Sequence, residues 1–409
     1  MKADFLPIIL GSDENAYGTA RLFMEAYGVK PLLLCKQRLV ACVHSRLFRL
    51  EQIDGFDRPE VFVPRLLATL HREAREAEKL LVIPCVDYYA ALLSEYADRF
   101  EGRIANPILP KPLLDELTAK HRFRDLCERH GLAHPKTRII PPEERAQAEN
   151  DLPGEFPIVL KPENSNAASY LDCRFPGKKK VYYLRSRQEY RQITAALGAA
   201  GYDGTLVAQE YIPGGEDTLW MLNSYSDADG RVRAMGLGQV VLTEHDPIMR
   251  GNNAVILSRY DEAILSQFRA FLEDIGYVGF GNFDLKLAPG TETPVVFECN
   301  PRLGRTNFYL RAAGLNIMKT FTEDVVYGHR EDCVFAKEAA LWRNVPMAAV
   351  KRYTQNRTLC AEAEALAKAG RCMTTRHCPE DRSLLRSLEM LRYDLALLRS
   401  YRRYPSGED

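Results

Sequence analysis

Residues 295–305 read VVFECNPRLGR and place an acid, an amide and two arginines at the end of one short strand. The run 295–297 favours a β-strand, because β-branched and aromatic side chains suit a pleated, half-buried surface. Glu298, Asn300, Arg302 and Arg305 then follow within a few positions. The packing of a core strand does not require these groups. The motif therefore predicts a ligand that carries both signs of charge, such as a metal ion bound to phosphate.

A second acid precedes this strand: Asp284, in GNFDLKL, is separated from it by the turn LAPGTET. If the two strands pair antiparallel, Asp284 and Glu298 could face each other, where like charges repel unless a cation lies between them. Oxygen ligands from Asp284, Glu298 and Asn300 suit Mg²⁺, and Arg302 and Arg305 could hold phosphate oxygens in bidentate fashion. The alternative is a pair of solvated acids on an exposed hairpin.

Lysines precede this motif. Lys161 ends the apolar strand FPIVLKP, where a desolvated ammonium is costly unless it meets a carboxylate or a phosphate. Lys120 lies upstream, and Lys178–Lys180 follow Gly177. The intervening stretch NSNAASYLDCRFPGKKK is small and polar, so we predict that residues 163–180 form a closing lid. A solvated hairpin with a charge run is the alternative.

The segment VAQEYIPGGED (207–217) continues the pattern. A short extended stretch with free backbone groups can read the edge of an adenine, and a carboxylate one turn later can bind two ribose hydroxyls. The alternative is a capped loop between domains.

Strands and helices alternate over residues 1–110, which predicts a parallel, doubly wound sheet. The turn after the first strand of such a sheet is a common ligand site. Asp13 and Asn15 are therefore substrate-binding candidates, although any loop needs polar residues. We predict five segments: an α/β domain (1–110), a linker helix (111–134), a small α+β lid domain (135–212), a larger domain with the metal site (213–340) and a helical extension (341–409).

Composition limits the classes of protein. The 55 basic and 55 acidic residues cancel, which argues against bulk nucleic-acid binding. No apolar run reaches the ~18–20 residues of a membrane span, and the N-terminus lacks a signal-peptide pattern. The ten cysteines contain no CxxC pair, so reduced cytoplasmic thiols are expected. A zinc site at Cys372, His377 and Cys378 is the minor alternative.

Taken in order, these motifs resemble those of ATP-grasp enzymes over residues 110–315. The resemblance implies an ATP-grasp fold, α/β and α+β in class, behind a Rossmann-like N-terminal domain. It also implies ATP and Mg²⁺ as cofactors. By position, it assigns the phosphates to Lys120 and Lys161, adenine to Glu210, Tyr211 and Ile212, ribose to Asp217, and Mg²⁺ to Asp284, Glu298 and Asn300. Lys179 is a further predicted cofactor-binding residue.

One position departs from a related family. D-Ala–D-Ala ligases carry an arginine two positions before the metal-binding aspartate, and Asn282 stands there in this chain. Charge on the acyl-transfer intermediate would then be met by Asn282, Arg302 or Arg305, which are the predicted catalytic residues.

A more specific resemblance, to the D-aspartate ligases of peptidoglycan cross-bridge synthesis, spans nearly the whole chain. It rests on LGSDENAYGTARLF, EFPIVLKP, FPGKKK, YIPGGED, GFGNFDLK and KAGRCMTT. The resemblance implies that ATP activates the β-carboxylate of D-aspartate as an acyl phosphate, which the ε-amine of a lysine in the precursor stem peptide attacks. Another carboxylate–amine ligase, or a nucleotide-binding module without turnover, are the alternatives.

Residues 382–403, RSLLRSLEMLRYDLALLRSYRR, contain six arginines, two acids and leucines at helical spacing. Such a helix can lie on an anionic membrane surface, or its leucines can pack on their own domain. The resemblance implies a cytoplasmic enzyme, and membrane contact would bring it to the inner face. The sequence indicates no oligomeric state.

Overall fold

The computed structural model describes residues 2–163, 168–246, 249 and 251–405. The chain divides into two compact units. The larger unit comprises Met1–Asp115, Gly215–Leu285 and Cys299–Asp409, and the smaller unit comprises Glu116–Gly214 and Lys286–Glu298. The five predicted segments stay a prediction, because these units do not test their boundaries.

Strands of the described residues alternate with helices through most of the chain. The strands are β1 (Ala3–Leu10), β2 (Leu32–Cys35), β3 (Arg49–Gln52), β4 (Ala77–Pro84), β5 (Thr137–Ile140), β6 (Ile158–Pro162), β7 (Tyr182–Leu184), β8 (Leu206–Glu210), β9 (Leu219–Ser226), β10 (Val232–Thr243), β11 (Asn253–Arg259), β12 (Gly279–Lys286), β13 (Val295–Asn300), β14 (Val334–Phe335), β15 (Leu341–Arg343) and β16 (Cys372–Met373). The helices are α1 (Glu14–Tyr27), α2 (Pro59–Glu73), α3 (Asp87–Glu95), α4 (Lys111–Thr118), α5 (Lys120–Arg129), α6 (Ala168–Leu171), α7 (Arg187–Ala199), α8 (Glu262–Asp274), α9 (Phe308–Ala312), α10 (Ile317–Val325), α11 (Met347–Tyr353), α12 (Arg357–Lys368) and α13 (Leu384–Arg403).

The N-terminal part of the larger unit is a parallel sheet of order β3-β2-β1-β4, which confirms the predicted fold class. Helix α1 begins at Asp13, whose side chain accepts a hydrogen bond from the Ala16 amide at 3.0 Å. It ends at Gly28, which takes a left-handed conformation with φ 65° that glycine adopts at little cost. These local signals place the start of α1 directly after the first strand.

A second sheet of the described residues follows the order β13-β12-β9-β10-β11-β15-β16, with β14 paired to β10. Strands β15 and β16 belong to the C-terminal region, which the sequence pattern predicted to be mostly helical. They pair in parallel, with Leu341 opposite Cys372. The C-terminal region therefore extends this sheet as well as supplying α11–α13.

Helices α1, α9 and α10 share one hydrophobic core with residues of both sheets in the larger unit. Tyr17, Phe23, Tyr309 and Trp342 are fully buried there. Burial of each large apolar side chain contributes about 1.5–3 kcal/mol. This core fixes the start of α1 against the loop before α9, where several of the predicted site residues lie.

The smaller unit contains an antiparallel sheet of order β5-β8-β6-β7. Along β6, Ile158 and Leu160 are buried in the core under α7, and Lys161 alternates to the other face because successive strand residues point to opposite sides. The predicted 163–180 lid falls partly on residues 164–167, which lie outside the described residues. No helix of the described residues is long and apolar enough to cross a membrane.

Candidate functional site

Two lysines and an acid of the smaller unit lie close enough to interact electrostatically. Lys120 is the first residue of α5, Lys161 lies on β6 and Glu298 lies on β13. The Lys120 ammonium donates to the backbone carbonyl of Glu163 at 2.8 Å. Helix, strand and following loop therefore hold two positive side chains near each other.

Burial dominates the titration of both lysines. Burial first, and the nearby Lys120 second, lower the pKa of Lys161 to about 8 against the opposing charge of Glu298. Burial also lowers the pKa of Lys120, against the charges of Glu298 and Glu163. Desolvation disfavours the charged form of a lysine, and a bound anion restores it. The pair is suited to an anionic ligand with several oxygens.

Lys178 and Lys179 form hydrogen bonds within their own part of the chain. Lys178 donates through Nζ to the carbonyls of Tyr170, Leu171 and Cys173 at 2.6–3.1 Å. The Lys179 amide donates to the Tyr182 hydroxyl at 3.0 Å, and the Lys179 side chain is exposed. Lys178 therefore stabilises the turn, and Lys179 is left available for a ligand.

The predicted adenine segment begins at the end of β8. The Glu210 amide donates to the Lys136 carbonyl at 2.9 Å, and the Lys136 amide donates to the Glu210 carboxylate at 3.1 Å. Tyr211 and Ile212 follow the last strand residue. The Lys286 ammonium lies 5.5 Å from the centre of the Tyr211 ring, so this segment presents an aromatic ring and backbone groups beside a positive charge.

In the larger unit, three predicted residues form a chain of polar contacts. The Asn300 amide lies 3.5 Å from a carboxylate oxygen of Asp284. Arg302 donates to the Asn300 side-chain oxygen at 3.3 Å and to both carboxylate oxygens of Asp87 at 2.7 and 3.2 Å. Asp87 begins α3. The structure thus brings Asp284, Asn300 and Arg302 together, and Arg302 is already paired with an acid.

Asn282 lies beneath the loop that carries these arginines. It is 2% exposed, and its side-chain oxygen has no hydrogen-bond partner. A Cβ added to Gly304 would lie 2.2 Å from that oxygen, so only glycine fits there. The structure places Asn282 against the loop backbone, where a larger side chain at position 304 would displace it.

Arg305 is the centre of a buried charge cluster. It donates to Glu14 at 2.5 Å and to Glu244 at 3.3 Å, and Arg376 lies 2.8 Å from Glu14. Burial alone would raise the pKa of Glu14, but Arg305 and Arg376 outweigh it and hold this pKa below its usual value. Burial would lower the pKa of Arg305, yet Glu14 and Glu244 raise it. Arg305 is therefore a fixed, fully charged guanidinium.

Asp13 and Asn15 flank Glu14. Burial raises the pKa of Asp13 to about 6, against the Ala16 hydrogen bond and the charges of Arg302 and Arg305. Asn15 donates to the carbonyls of Cys85 at 2.9 Å and Leu303 at 2.7 Å. Asn15 thus ties the first loop to the loop before α9. The role of both residues in binding substrate stays a prediction.

Asp217, the predicted ribose ligand, belongs to the larger unit. Its carboxylate accepts a hydrogen bond from the Asn356 side chain at 2.8 Å, and its backbone carbonyl accepts one from Gln239 at 2.7 Å. Asn356 caps the start of α12. The position of Asp217 is therefore set by the C-terminal region.

Sequence reasoning missed four members of these clusters: Glu14, Asp87, Glu244 and Arg376. Glu14 stood between two predicted residues, in GSDEN, and this acid at the end of a strand was a usable signal. Arg376 directly follows the motif KAGRCMTT, and no sequence spacing links it to Glu14. Their association depends on the fold.

The predicted Mg²⁺ ligands are two carboxylates and one amide. Within the described ranges, no group of three or more His, Cys, Asp or Glu side chains could hold a metal ion. Mg²⁺ commonly binds through one or two carboxylates and substrate phosphates, so the predicted set remains suited to it. The described cysteines form no disulfide bond.

A curated relative aligns with almost the entire chain. The chain is 36% identical over 399 residues to the D-aspartate ligase of Enterococcus faecium (strain Aus0004), covering 95% of this chain and 93% of the relative. No family model matches the chain.

Solved structures share the fold at low identity. They include N5-carboxyaminoimidazole synthetase from Staphylococcus aureus (TM-score 0.58, 11% identity, 88% and 87% of the two chains) and L-amino acid ligase from Bacillus licheniformis (TM-score 0.54, 15%, 81% and 76%). A third is the biotin carboxylase domain of the Hydrogenobacter thermophilus 2-oxoglutarate carboxylase, in complex with MgADP (TM-score 0.57, 14%, 82% and 72%). Both predicted levels of resemblance are thereby confirmed: the chain has the ATP-grasp fold, and it belongs to the D-aspartate ligase family of ATP-dependent ligases.

Proposed function

We propose that the protein uses ATP and Mg²⁺ to activate the β-carboxylate of D-aspartate and joins it to the lysine ε-amine of a peptidoglycan precursor stem peptide. The observation that carries this proposal is the 36% identity to a D-aspartate ligase over 95% of the chain. The ATP γ-phosphate would pass to the carboxylate, giving an acyl phosphate and ADP. The amine would then form the amide bond as phosphate leaves.

Lys120 and Lys161 are the groups best suited to the phosphates of ATP. Their burial and mutual repulsion lower the pKa of Lys161, and burial lowers that of Lys120, although Glu298 acts on both lysines and Glu163 on Lys120 in the opposite direction. A polyphosphate supplies the missing negative charge. Fixed cations in a site of low polarity stabilise developing charge more strongly than they would in water.

The residues Asp284, Glu298 and Asn300 fit Mg²⁺ by the chemistry of their donor atoms, since hard oxygen ligands suit this ion. Bound Mg²⁺ would neutralise phosphate charge. The Asn300 side-chain amide lies 3.5 Å from a carboxylate oxygen of Asp284, so these two predicted ligands are neighbours.

Arg302 and Arg305 are proposed to offset charge on the reacting carboxyl group. Arg305 keeps its charge because Glu14 and Glu244 hold it in place. Arg302 is oriented by Asp87. A guanidinium held by such contacts loses little freedom when it meets a carboxylate or phosphate.

The direct test is ADP release from Mg-ATP with D- and L-aspartate, D- and L-glutamate, asparagine and alanine, each with a lysine-containing stem peptide. We expect ADP release and peptide product with D-aspartate above the other amino acids. Omission of the peptide or of Mg²⁺ serves as the control.

A second candidate keeps the same chemistry with a different amino acid, as in other carboxylate–amine ligases of this fold. ADP release with another amino acid and none with D-aspartate would support it. That outcome would remove the D-aspartate assignment without affecting the family.

We also propose that α13 contacts an anionic membrane surface. Five leucines of this helix are exposed, with Leu384 at 79%, and the others are Leu385, Leu388, Leu391 and Leu395. The exposed charged residues of segment 382–403 are all arginines, while Arg386, Met390 and Tyr401 are buried against the protein. Exposed leucines and arginines together suit an anionic interface.

Flotation with phosphatidylglycerol vesicles tests this contact. We expect the full chain to float and the variant Leu384→Gln/Leu388→Gln/Leu391→Gln to remain in the dense fraction. Equal flotation of both proteins, or concentration-dependent dimers of the unaltered chain that the variant lacks, would contradict membrane contact.

A further inference from the structure

The C-terminal region forms a pocket that the chemistry above does not use. Its volume is about 590 Å³, and it lies where α11 ends, α12 begins and α13 ends. Arg352, Arg357 and Arg402 line it together with Tyr353 and Thr354. Three guanidinium groups from three separate helices therefore face one concave surface.

None of these three arginines has a carboxylate partner among the residues that the structure describes. Arg357 donates to the backbone carbonyl of Lys351 at 3.3 Å. Arg352 lies 5.7 Å from the centre of the Tyr353 ring, and that ring is stacked on Tyr401 at 5.3 Å. Two of the guanidiniums are thus oriented by neutral groups, and no carboxylate of the described residues pairs with them.

Thr354 gives an independent indication of a ligand. This residue is 1% exposed, and its hydroxyl oxygen has no hydrogen-bond partner in the described structure. A buried hydroxyl without a partner costs free energy. A ligand oxygen in the pocket that Thr354 lines would satisfy it.

We propose that this pocket binds a phosphate or diphosphate group. Planar guanidiniums bind phosphate oxygens in pairs, and the Thr354 hydroxyl adds one neutral donor. The inference deepens the proposed function and rests on it in one respect: the phosphate group would belong to the carrier end of the acceptor substrate, remote from the reacting amine. The same chemistry is offered by a soluble phosphate ester and by a lipid headgroup.

The test is calorimetric titration of the full chain with inorganic pyrophosphate, in a Lys161→Met background that weakens binding at the proposed nucleotide site. We expect Arg357→Gln and Arg402→Gln each to raise the Kd for pyrophosphate about tenfold, because each removes a charge-assisted contact. Thr354→Val should raise it about threefold. The matched control is Arg65→Gln, an exposed arginine of α2 outside both the pocket and α13, which should change the Kd less than twofold.

Flotation of the same variants with phosphatidylglycerol vesicles distinguishes a soluble phosphate ester from a lipid headgroup as the source of the phosphate. Loss of pyrophosphate affinity alone assigns a soluble phosphate ester, and loss of vesicle binding specific to the pocket variants assigns a lipid headgroup. Unchanged values in both assays, or equal losses in Arg65→Gln, would overturn the proposal. Neither assay uses ATP or an amino acid, so its failure is distinct from failure of the proposed ligase reaction.

Discussion

Two basic centres of this protein are built in opposite ways. In the smaller unit, Lys120 and Lys161 are desolvated near each other, and the pKa of each is lowered. In the larger unit, Arg305 lies between Glu14 and Glu244, and its pKa is raised. At the lysine pair, burial outweighs the charges of Glu298 and Glu163, whereas at Arg305 the charges of Glu14 and Glu244 outweigh burial.

The difference separates binding from positioning. Buried positive groups with too little negative charge around them are stabilised when an anion binds. A guanidinium that is already held by two carboxylates is instead fixed in position, so it can face a reacting group without first being reoriented. We therefore expect substitutions at the two centres to change different measurable quantities.

The largest expected effect is on stability at the arginine centre. Glu14→Ala would leave Arg305 and Arg376 with one fewer carboxylate in a buried site, which typically costs about 3–5 kcal/mol. Urea unfolding measures this loss. The control is Glu25→Ala on the same helix, where more exposed ion pairs with Arg21 and Arg311 should contribute ~1 kcal/mol or less. Equal losses in both variants would show that the cluster is not a stabilising centre.

Activity should respond most at the lysine centre. Lys161→Met removes one of the two cations proposed to meet the phosphates, and we expect kcat/KM for ATP to fall about 10²–10³-fold, the usual cost of losing one such group. ADP release measures it. Lys136→Met, at an exposed lysine of the same unit, should stay within about twofold of the unaltered enzyme. An active Lys161→Met enzyme would remove this lysine from the ATP site.

The pH dependence of kcat/KM for ATP should reflect the ionisation of Lys161. With a pKa of about 8, Lys161 loses its charge as the pH rises, so kcat/KM for ATP should fall about tenfold between pH 7 and 9. Lys161→Arg should remove this decline, because a guanidinium stays charged. A decline that persists in Lys161→Arg would belong to another group.

The smallest expected effect is the pH dependence that Lys161 gives to the free energy of unfolding. The folded pKa of Lys161 is about 8 and its ordinary value is 10.5, so the unfolded chain binds more protons between these values. The free energy of unfolding should therefore rise with pH across this window. Lys161→Met should lose this dependence and be stabilised near pH 7 by ~1 kcal/mol. Thermal unfolding at pH 7 and 9 measures both, and a destabilised variant would contradict the desolvation argument.

Several individual residues could be predicted from the sequence because their signals are local. Lys161 was predicted from a charge at the end of an apolar strand, and Asp13 from a polar turn after the first strand. The cap that Asp13 supplies to α1 is also local. By contrast, Arg376 is separated from Glu14 by most of the chain, and its contact with Glu14 follows from packing of the C-terminal region against α1. The extra strands β15 and β16 were missed because each has only two or three residues, too short for a periodic pattern.

The sequence by itself determined the alternation of strands and helices, the order of the ATP-grasp motifs and the positions of cations at strand ends, because each depends on neighbouring residues. Tertiary structure alone decided which charges are compensated. Compensation depends on groups distant in the chain, such as Glu14, Glu244 and Arg376 around Arg305, and on the loss of water that accompanies their burial.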